Sequence, residues 1–220
     1  MKIICISASN VKNMRNNSVS TKTCEFIKDI VLSKYQKDAE VEIVRLLDYD
    51  LQPCIMCTGC AETGLCLYDE AFNQIYSQLI ESDGIFVVCP HYATIPVKLV
   101  MILEKLQEMA FILMCKNQRS GKKDKFTLLG KPIVIIGHGG MTGEIEEPYT
   151  KALLDPLSYA FASVQMKVIG LNEEKKGVVF GVKDYVMTDE KLLPDAVHDW
   201  DQIQQIISPI IKNMFELINQ

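Results

Sequence analysis

Gly84-Ile85-Phe86-Val87-Val88-Cys89 runs for six residues without one polar side chain. A strand that faces water on one side alternates apolar and polar residues. A run that is apolar on both faces belongs inside a parallel sheet with helices on each side. Directly behind it comes Pro90-His91-Tyr92-Ala93-Thr94-Ile95-Pro96, a loop bracketed by two prolines, and then a helical run over residues 97–115. This strand–loop–helix unit is the repeating element of an α/β fold.

The same grammar extends in both directions. Ile3-Ile4-Cys5-Ile6-Ser7 reads as a second buried strand, followed by the polar loop Ser9-Asn10-Val11-Lys12-Asn13-Met14-Arg15-Asn16-Asn17-Ser18. Ser18 or Ser20 caps a helix reaching about residue 35, with Cys24, Ile27, Ile30 and Val31 on its apolar face. Residues 41–47 alternate as a strand. Residues 68–82 form a helix with Asp69 and Glu70 in the first turn, where the macrodipole favours acids, and with Phe72, Ile75, Tyr76, Leu79 and Ile80 as its apolar positions. Pro132-Ile133-Val134-Ile135-Ile136 is another central strand, broken by Gly137-His138-Gly139-Gly140-Met141-Thr142-Gly143. Residues 146–164 are helical, 166–171 form a fifth strand, and 172–199 are irregular or hold a hairpin around 178–182. Residues 200–218 close the chain as a helix that Pro209 can kink.

Alternating strands and helices predict an α/β three-layer sandwich with a five-stranded parallel sheet in the order 2-1-3-4-5. The expectation is one domain over residues 1–220, with a cysteine-rich loop at 53–67 and a C-terminal extension from about 172 to 220. In that strand order ligands bind at the carboxyl ends of the strands, near the switch between strands one and three. The loops 7–20, 90–96 and 137–143 line that edge.

Composition narrows the function. An apolar fraction of 48% suits a globule with a sizeable core, and a net charge of −5 argues against a nucleic-acid footprint, which needs a clustered basic excess. No stretch of about 18 apolar residues exists to span a membrane. Eight cysteines with no visible secretory leader point to a reducing, cytoplasmic setting. There, clustered cysteines bind metal or carry redox chemistry.

Each loop offers its own chemistry. The first gathers Ser7, Ser9, Asn10, Asn16, Asn17, Ser18, Ser20 and Thr21 at a helix start, where amides and dipole favour a phosphate, with Lys12 and Arg15 as nearby charges. It has no glycine, so it is neither a Walker loop nor a dinucleotide fingerprint. A capped turn without a ligand is the plainer reading of the same residues. Tyr92 can stack on a flat ring, and the glycines around His138 let backbone amides face a ligand. His91 and His138 are candidate acid/base groups, with a structural or surface role the plainer reading of each.

Four of the eight cysteines, Cys54, Cys57, Cys60 and Cys66, are spaced C-x2-C-x2-C-x5-C. Three thiolates two residues apart can wrap one corner of a 4Fe–4S cubane, and Gly64 can turn Cys66 back toward them. A zinc ion also accepts four thiolates, and a metal-free loop of redox thiols is the third possibility. Cys5, Cys24, Cys89 and Cys115 read as core packing.

Taken together, these motifs resemble the NADPH-dependent FMN reductase family of the flavodoxin-like superfamily, above all its iron–sulfur flavoprotein branch. Ser9 and Ser18-Val19-Ser20 match the family's phosphate loop and helix start, and the four cysteines match its compact motif after the second strand. Asp69-Glu70, Pro90-His91-Tyr92, Gly130-Lys131-Pro132 and the Gly137–Gly140 run follow in the family's order, over about residues 1–170. The resemblance implies non-covalent FMN. Its phosphate would lie by Ser9, Asn10, Arg15, Asn17, Ser18, Val19 and Ser20. Its ring would lie along Pro90, His91, Tyr92, Ala93, Thr94 and Ile95 and against Gly137, His138, Gly139 and Gly140. Amides near Thr94–Ile95 and Gly139–Gly140 would face the flavin's N1 and N5. It also implies NAD(P)H as donor, a quinone, flavin or redox protein as acceptor, a homodimer or homotetramer, a possible 4Fe–4S cluster on the four cysteines, and no catalytic side chain. The chain departs from the pattern in its longer phosphate loop. It departs again in the helix after the second loop, which keeps only an acid followed by a base, Glu104-Lys105, and in a tail beyond residue 172 without a family motif. A non-catalytic electron carrier and a thiol- or metal-based redox sensor are the alternatives.

Overall fold

The computed structural model describes residues 1–12, 14–189 and 192–220, the side chain of Arg15 excepted. Its strands are β1 (Lys2–Ser7), β2 (Glu40–Arg45), β3 (Gly84–Pro90), β4 (Pro132–His138), β5 (Lys167–Ile169) and β6 (Val178–Phe180). They pair in the order β2-β1-β3-β4-β5, all parallel, which is the flavodoxin-like order the sequence predicts. β3 is buried along its whole length, as a strand apolar on both faces must be.

The helices are α1 (Val19–Ile30), α2 (Cys60–Thr63), α3 (Glu70–Glu81), α4 (Val97–Ser120), α5 (Glu146–Tyr149), α6 (Asp155–Ser163) and α7 (Trp200–Ile218). Alternate side chains of the central strands feed two cores. Ile4, Ile6, Ile85, Val87, Ile133 and Ile135 pack on α3, α4 and α6. Ile3, Cys5, Phe86, Val88, Val134 and Ile136 pack on α1 and α7. The α7 stripe Ile203, Ile207, Ile210, Ile211, Met214 and Phe215 has helical spacing and is buried throughout. Residues 31–35 continue α1 as a π-helical turn.

Four details differ from the sequence reading. β4 does not break at Ile136 but continues through Gly137 and His138, because both still pair with neighbours on each side. The expected fifth strand is two short ones. β5 pairs with Pro132–Val134 and β6 with Ile136–His138, so they occupy successive stretches of the same edge of β4. The sheet therefore has six strands. The hairpin expected around residues 178–182 lies further on, as β7 (Asp184–Val186) paired antiparallel with β8 (Asp195–Val197). Ile80, read as an apolar-face position of α3, is exposed.

Candidate cofactor site and cysteine pocket

Parallel strands that start together end together, so the loops after β1, β3 and β4 share one edge. Backbone bonds stitch it. Ala8 N donates to Val88 O (3.0 Å) and His91 N donates to His138 O (2.7 Å).

The first loop is organised by hydroxyls. Ser18 is the N-cap of α1, and its Oγ accepts from Thr21 N at 3.3 Å and donates to Thr21 Oγ1 at 2.9 Å. Thr21 Oγ1 also meets Ser7 Oγ at 2.9 Å. The first intrahelical bond from Lys22 reaches Ser18 O, which leaves the Val19 and Ser20 amides without an intrahelical acceptor. Ser9 is buried and accepts from Val11 N at 3.3 Å, while Asn10 and Asn17 are exposed. Arg45 reaches across from the end of β2 to hold the Asn16 side chain. The Arg15 side chain lies outside the described part of the structure, so its expected role has no geometry here.

The second loop leaves β3 at buried Pro90. His91 is half-buried, Tyr92 exposed, and Ala93 and Thr94 hold φ of +43° and +84°. Left-handed backbone at a β-branched residue costs on the order of 1–3 kcal/mol and is kept where surrounding structure or function demands it.

In the third loop the glycines serve a purpose that the sequence did not reveal. A Cβ on Gly139 would lie 2.3 Å from the Tyr149 hydroxyl, and one on Gly140 would lie 2.8 Å from that of Tyr185. Tyr149 accepts from Met141 N at 2.7 Å, and Tyr185 donates to Gly140 O at 2.5 Å. The glycines admit two tyrosine hydroxyls that pin the loop from below and from the tail. His138 sits beneath the loop as the last residue of β4. It is 7% exposed, stacked on Phe180 at 5.3 Å and bonded through Nε2 to Ser20 Oγ at 2.8 Å. Burial, with a smaller contribution from His198, pushes its pKa down to about 3, so the imidazole is neutral in ordinary buffers.

The cysteine stretch follows β2. Cys54, Cys57, Cys60 and Cys66 all line one pocket, together with Asp69, Lys105 and Glu108. Gly64 ends α2 at φ +72°, the left-handed turn that returns the chain toward Cys66. Met56 and Thr58 also hold positive φ, at 51° and 58°. Asn73 brackets Cys66, accepting from its N–H and donating to its carbonyl, both at 2.8 Å. All four thiols are free. Among the described residues no three His, Cys, Asp or Glu side chains are gathered to hold a single metal ion. Zinc bonds of about 2.3 Å would draw the sulfurs to within about 4 Å of one another, whereas a cubane spreads them over four irons.

A buried ion pair closes the neck of this stretch. Lys105 Nζ lies 2.9 Å from Asp69 Oδ2, with side chains 3% and 1% exposed. Asp69 also accepts from Gln52 N and from Phe72 N, and Lys105 donates to Gln52 O. Residues 52 and 69, which flank the cysteines, are thereby tied together. Burial alone would raise the Asp69 carboxyl, but the Gln52 and Phe72 amides and the Lys105 ammonium outweigh it and hold its pKa low. Lys98 plays a similar part nearby, donating to the carbonyls of Leu46, Leu47 and Tyr49 at 3.1, 3.2 and 2.5 Å.

The model of the NADPH-dependent FMN reductase family matches residues 1–171. The chain belongs to that family. Among curated relatives, an iron–sulfur flavoprotein of Methanocaldococcus jannaschii is 25% identical over 100 residues, covering 45% of this chain and 52% of the relative. Another from Methanosarcina thermophila is 27% identical over 92 residues, covering 42% and 44%. The chain thus spans about half the length of the curated relatives it matches. The solved structure of RosB with a bound riboflavin-5′-phosphate derivative superposes with a TM-score of 0.62 at 14% identity, covering all of this chain and 79% of RosB. An oxidoreductase of Corynebacterium diphtheriae gives 0.58 at 15% identity, covering 99% and 96%. At such identities the likeness shows the fold.

Sequence reasoning missed Lys98, Tyr149 and Tyr185, and noted Lys105 only as the base after Glu104, without its buried partner. Two of them left a signal. Lys98 stands in the first turn of α4, where the dipole repels a cation, so it needed carbonyl partners. Lys105 falls on the buried stripe of Leu99, Ile102, Leu106 and Met109, so it needed a carboxylate. Cys115, read as core packing, is only half-buried on α4.

Lys105→Met strands the buried Asp69 carboxylate and is expected to destabilise the protein by roughly 3–5 kcal/mol in urea unfolding. Adding Asp69→Asn, which can still cap α3, should recover part of that loss. A second expectation concerns His138. The unfolded chain takes up a proton near pH 6.5 that the folded imidazole refuses until about pH 3. Its contribution is therefore fully present above pH 6.5 and drains away as pH falls toward 3, on the order of a few kcal/mol in all. Unfolding free energies measured across that window should show a slope in the native protein that is shallower in His138→Phe.

Proposed function

We propose that the protein is an FMN-dependent oxidoreductase that moves electrons between NAD(P)H or a redox partner and an acceptor such as a quinone or a flavin, with a 4Fe–4S cluster in the cysteine pocket. The observation that carries the reading is the convergence of three loops on one sheet edge. Helix-start amides lie at one end, a left-handed turn beside an exposed tyrosine lies next to them, and a pinned glycine loop stands beyond.

In this reading the free amides of Val19 and Ser20 face the phosphate, with Asn10 and Asn17 at its rim and Ser9 and Ser18 shaping the loop. The ring lies along His91, Tyr92, Ala93, Thr94 and Ile95. Gly139 and Gly140 bound it, and Pro90, Gly137 and His138 support it from within the strands. The Ala93–Thr94 turn is set in advance, so the amides that follow need not reorganise when charge develops on the ring. Bound there, FMN supplies hydride and single-electron transfer; the protein supplies orientation and a fixed field. Tyr149 and Tyr185 keep the glycine loop from moving away. The amides and hydroxyls of the helix start would hold the phosphate, with exposed Lys12 close in sequence.

For the cluster, the support is the set of four thiols around one pocket, the neck held by Asp69 and Lys105, and the iron–sulfur flavoproteins among the relatives. The residues fit such a group. Cys54 and Cys57 come from the extended arm, Cys60 from the start of α2 and Cys66 from beyond the Gly64 turn, and all four line the same pocket.

Anaerobically purified protein should carry about one flavin and about four irons per chain. NADPH should bleach its flavin absorbance, and Cys57→Ser should lose iron while keeping flavin. Protein without flavin contradicts the main reading. Flavin without iron in the native protein contradicts the cluster alone. Reduction by a low-potential redox protein but never by NAD(P)H would make it a carrier.

A further inference from the structure

His138 touches all three loops of the candidate flavin site, each by a different part of its structure. Its carbonyl accepts from His91 N at 2.7 Å, which ties it to the second loop. Its own backbone runs into Gly139 and the third loop. Its imidazole crosses to α1 and meets the Ser20 hydroxyl at 2.8 Å, 118 residues away in sequence. Ser20 is wholly buried, so this hydroxyl points inward at the sheet edge rather than outward at a ligand.

We infer that His138 is a positioning residue for the phosphate end of the flavin site, acting through Ser20. The inference rests on the FMN reading above. It assigns the imidazole no contact with the cofactor and no part in the chemistry. Ser20 is the second residue of α1, and its amide is one of the two left without an intrahelical acceptor. Anchoring the side chain inward fixes the first turn of α1, and with it where the less buried Val19 N–H points. A shift of the first turn by a fraction of an ångström would spoil a charge-assisted bond to phosphate, because such bonds are short and directional.

The surroundings of the ring suit an anchor. Phe180 lies nearly parallel to it, 11° from coplanar, and so sets the plane in which Nε2 points. Phe180 belongs to β6, in the tail that carries no family motif, and pairs directly with His138 in the sheet. The charged or titratable neighbour that acts on the imidazole is His198, which is itself half-buried and has its pKa lowered by burial. The imidazole therefore stays neutral, so the Ser20 contact is an ordinary hydrogen bond and His138 is no counter-charge for the phosphate.

This role separates phosphate from ring, and the two can be read apart. Flavin-free protein is titrated with FMN and with riboflavin, following flavin fluorescence, for the native chain, His138→Phe, His138→Asn and Ser20→Ala. Phenylalanine keeps the stack on Phe180 and removes the hydrogen bond. His138→Phe should weaken FMN binding about three- to tenfold, the effect of one neutral hydrogen bond, and leave riboflavin binding within about twofold. Ser20→Ala should do the same, and the double variant should be no worse than either single one. His138→Asn, which restores a polar partner, should recover part of the preference for FMN. Equal weakening of both ligands would mean a merely structural residue and overturns the inference, as does unchanged FMN binding in His138→Phe. Should His138→Phe fail to fold, Ser20→Ala carries the same comparison. A native chain that binds neither flavin overturns the FMN reading and this inference together. Native binding with an unaltered FMN-to-riboflavin ratio in the variants overturns only the role of His138.

Discussion

Parallel registry among β1, β3 and β4 is the constraint on which the rest of the structure depends. Ser7 stands level with Val88, and Pro90 with His138, so three strands deliver their chains to one edge within two residues of each other. Both faces of these strands are covered by helices, which leaves that edge as the place where backbone can meet a ligand. A one-residue slip would turn Ile85, Val87, Ile133 and Ile135 out of one core and into the other. The burial that stabilises the sheet also fixes the site.

Away from the sheet, structure is held by a few buried polar ties. Among the described residues five that are not glycine have positive φ, and four of them, Met56, Thr58, Ala93 and Thr94, fall in the cysteine stretch and the second loop. Each of these segments has an anchor close by. The Asp69–Lys105 pair joins the two ends of the cysteine stretch, and His91 N holds the start of the second loop to β4. Strained backbone persists only where its surroundings leave no easier arrangement, and these anchors supply that restraint. The cysteine pocket and the candidate cofactor edge are thus built on the same plan.

Much of this was legible in the sequence. Runs apolar on both faces gave the central strands, helical stripes gave the helices, and the ordered motifs gave the family. The helix cap, narrowed to Ser18 or Ser20, and the turn at Gly64 could be read because each is a local requirement. What could not be read were contacts across long separations. Nothing local says that Gly139 makes room for Tyr149, that Phe180 pairs with His138, or that Lys105 finds Asp69. The tail is the clearest case. It has no family motif, yet Phe180 and Tyr185 reach the candidate site from it. The split of the fifth strand was hidden for a similar reason, since residues 167–169 and 178–180 share an edge only once β4 is in place. The site residues themselves stand as a proposal that this geometry supports.

The most direct test is a diffraction structure of crystals grown with FMN. Density is expected for the phosphate against the amides of the first turn of α1, and for the ring along His91–Ile95 and beside Gly139–Gly140. Flavin density elsewhere, or an ordered edge in FMN-grown crystals with no flavin on it, would contradict this placement.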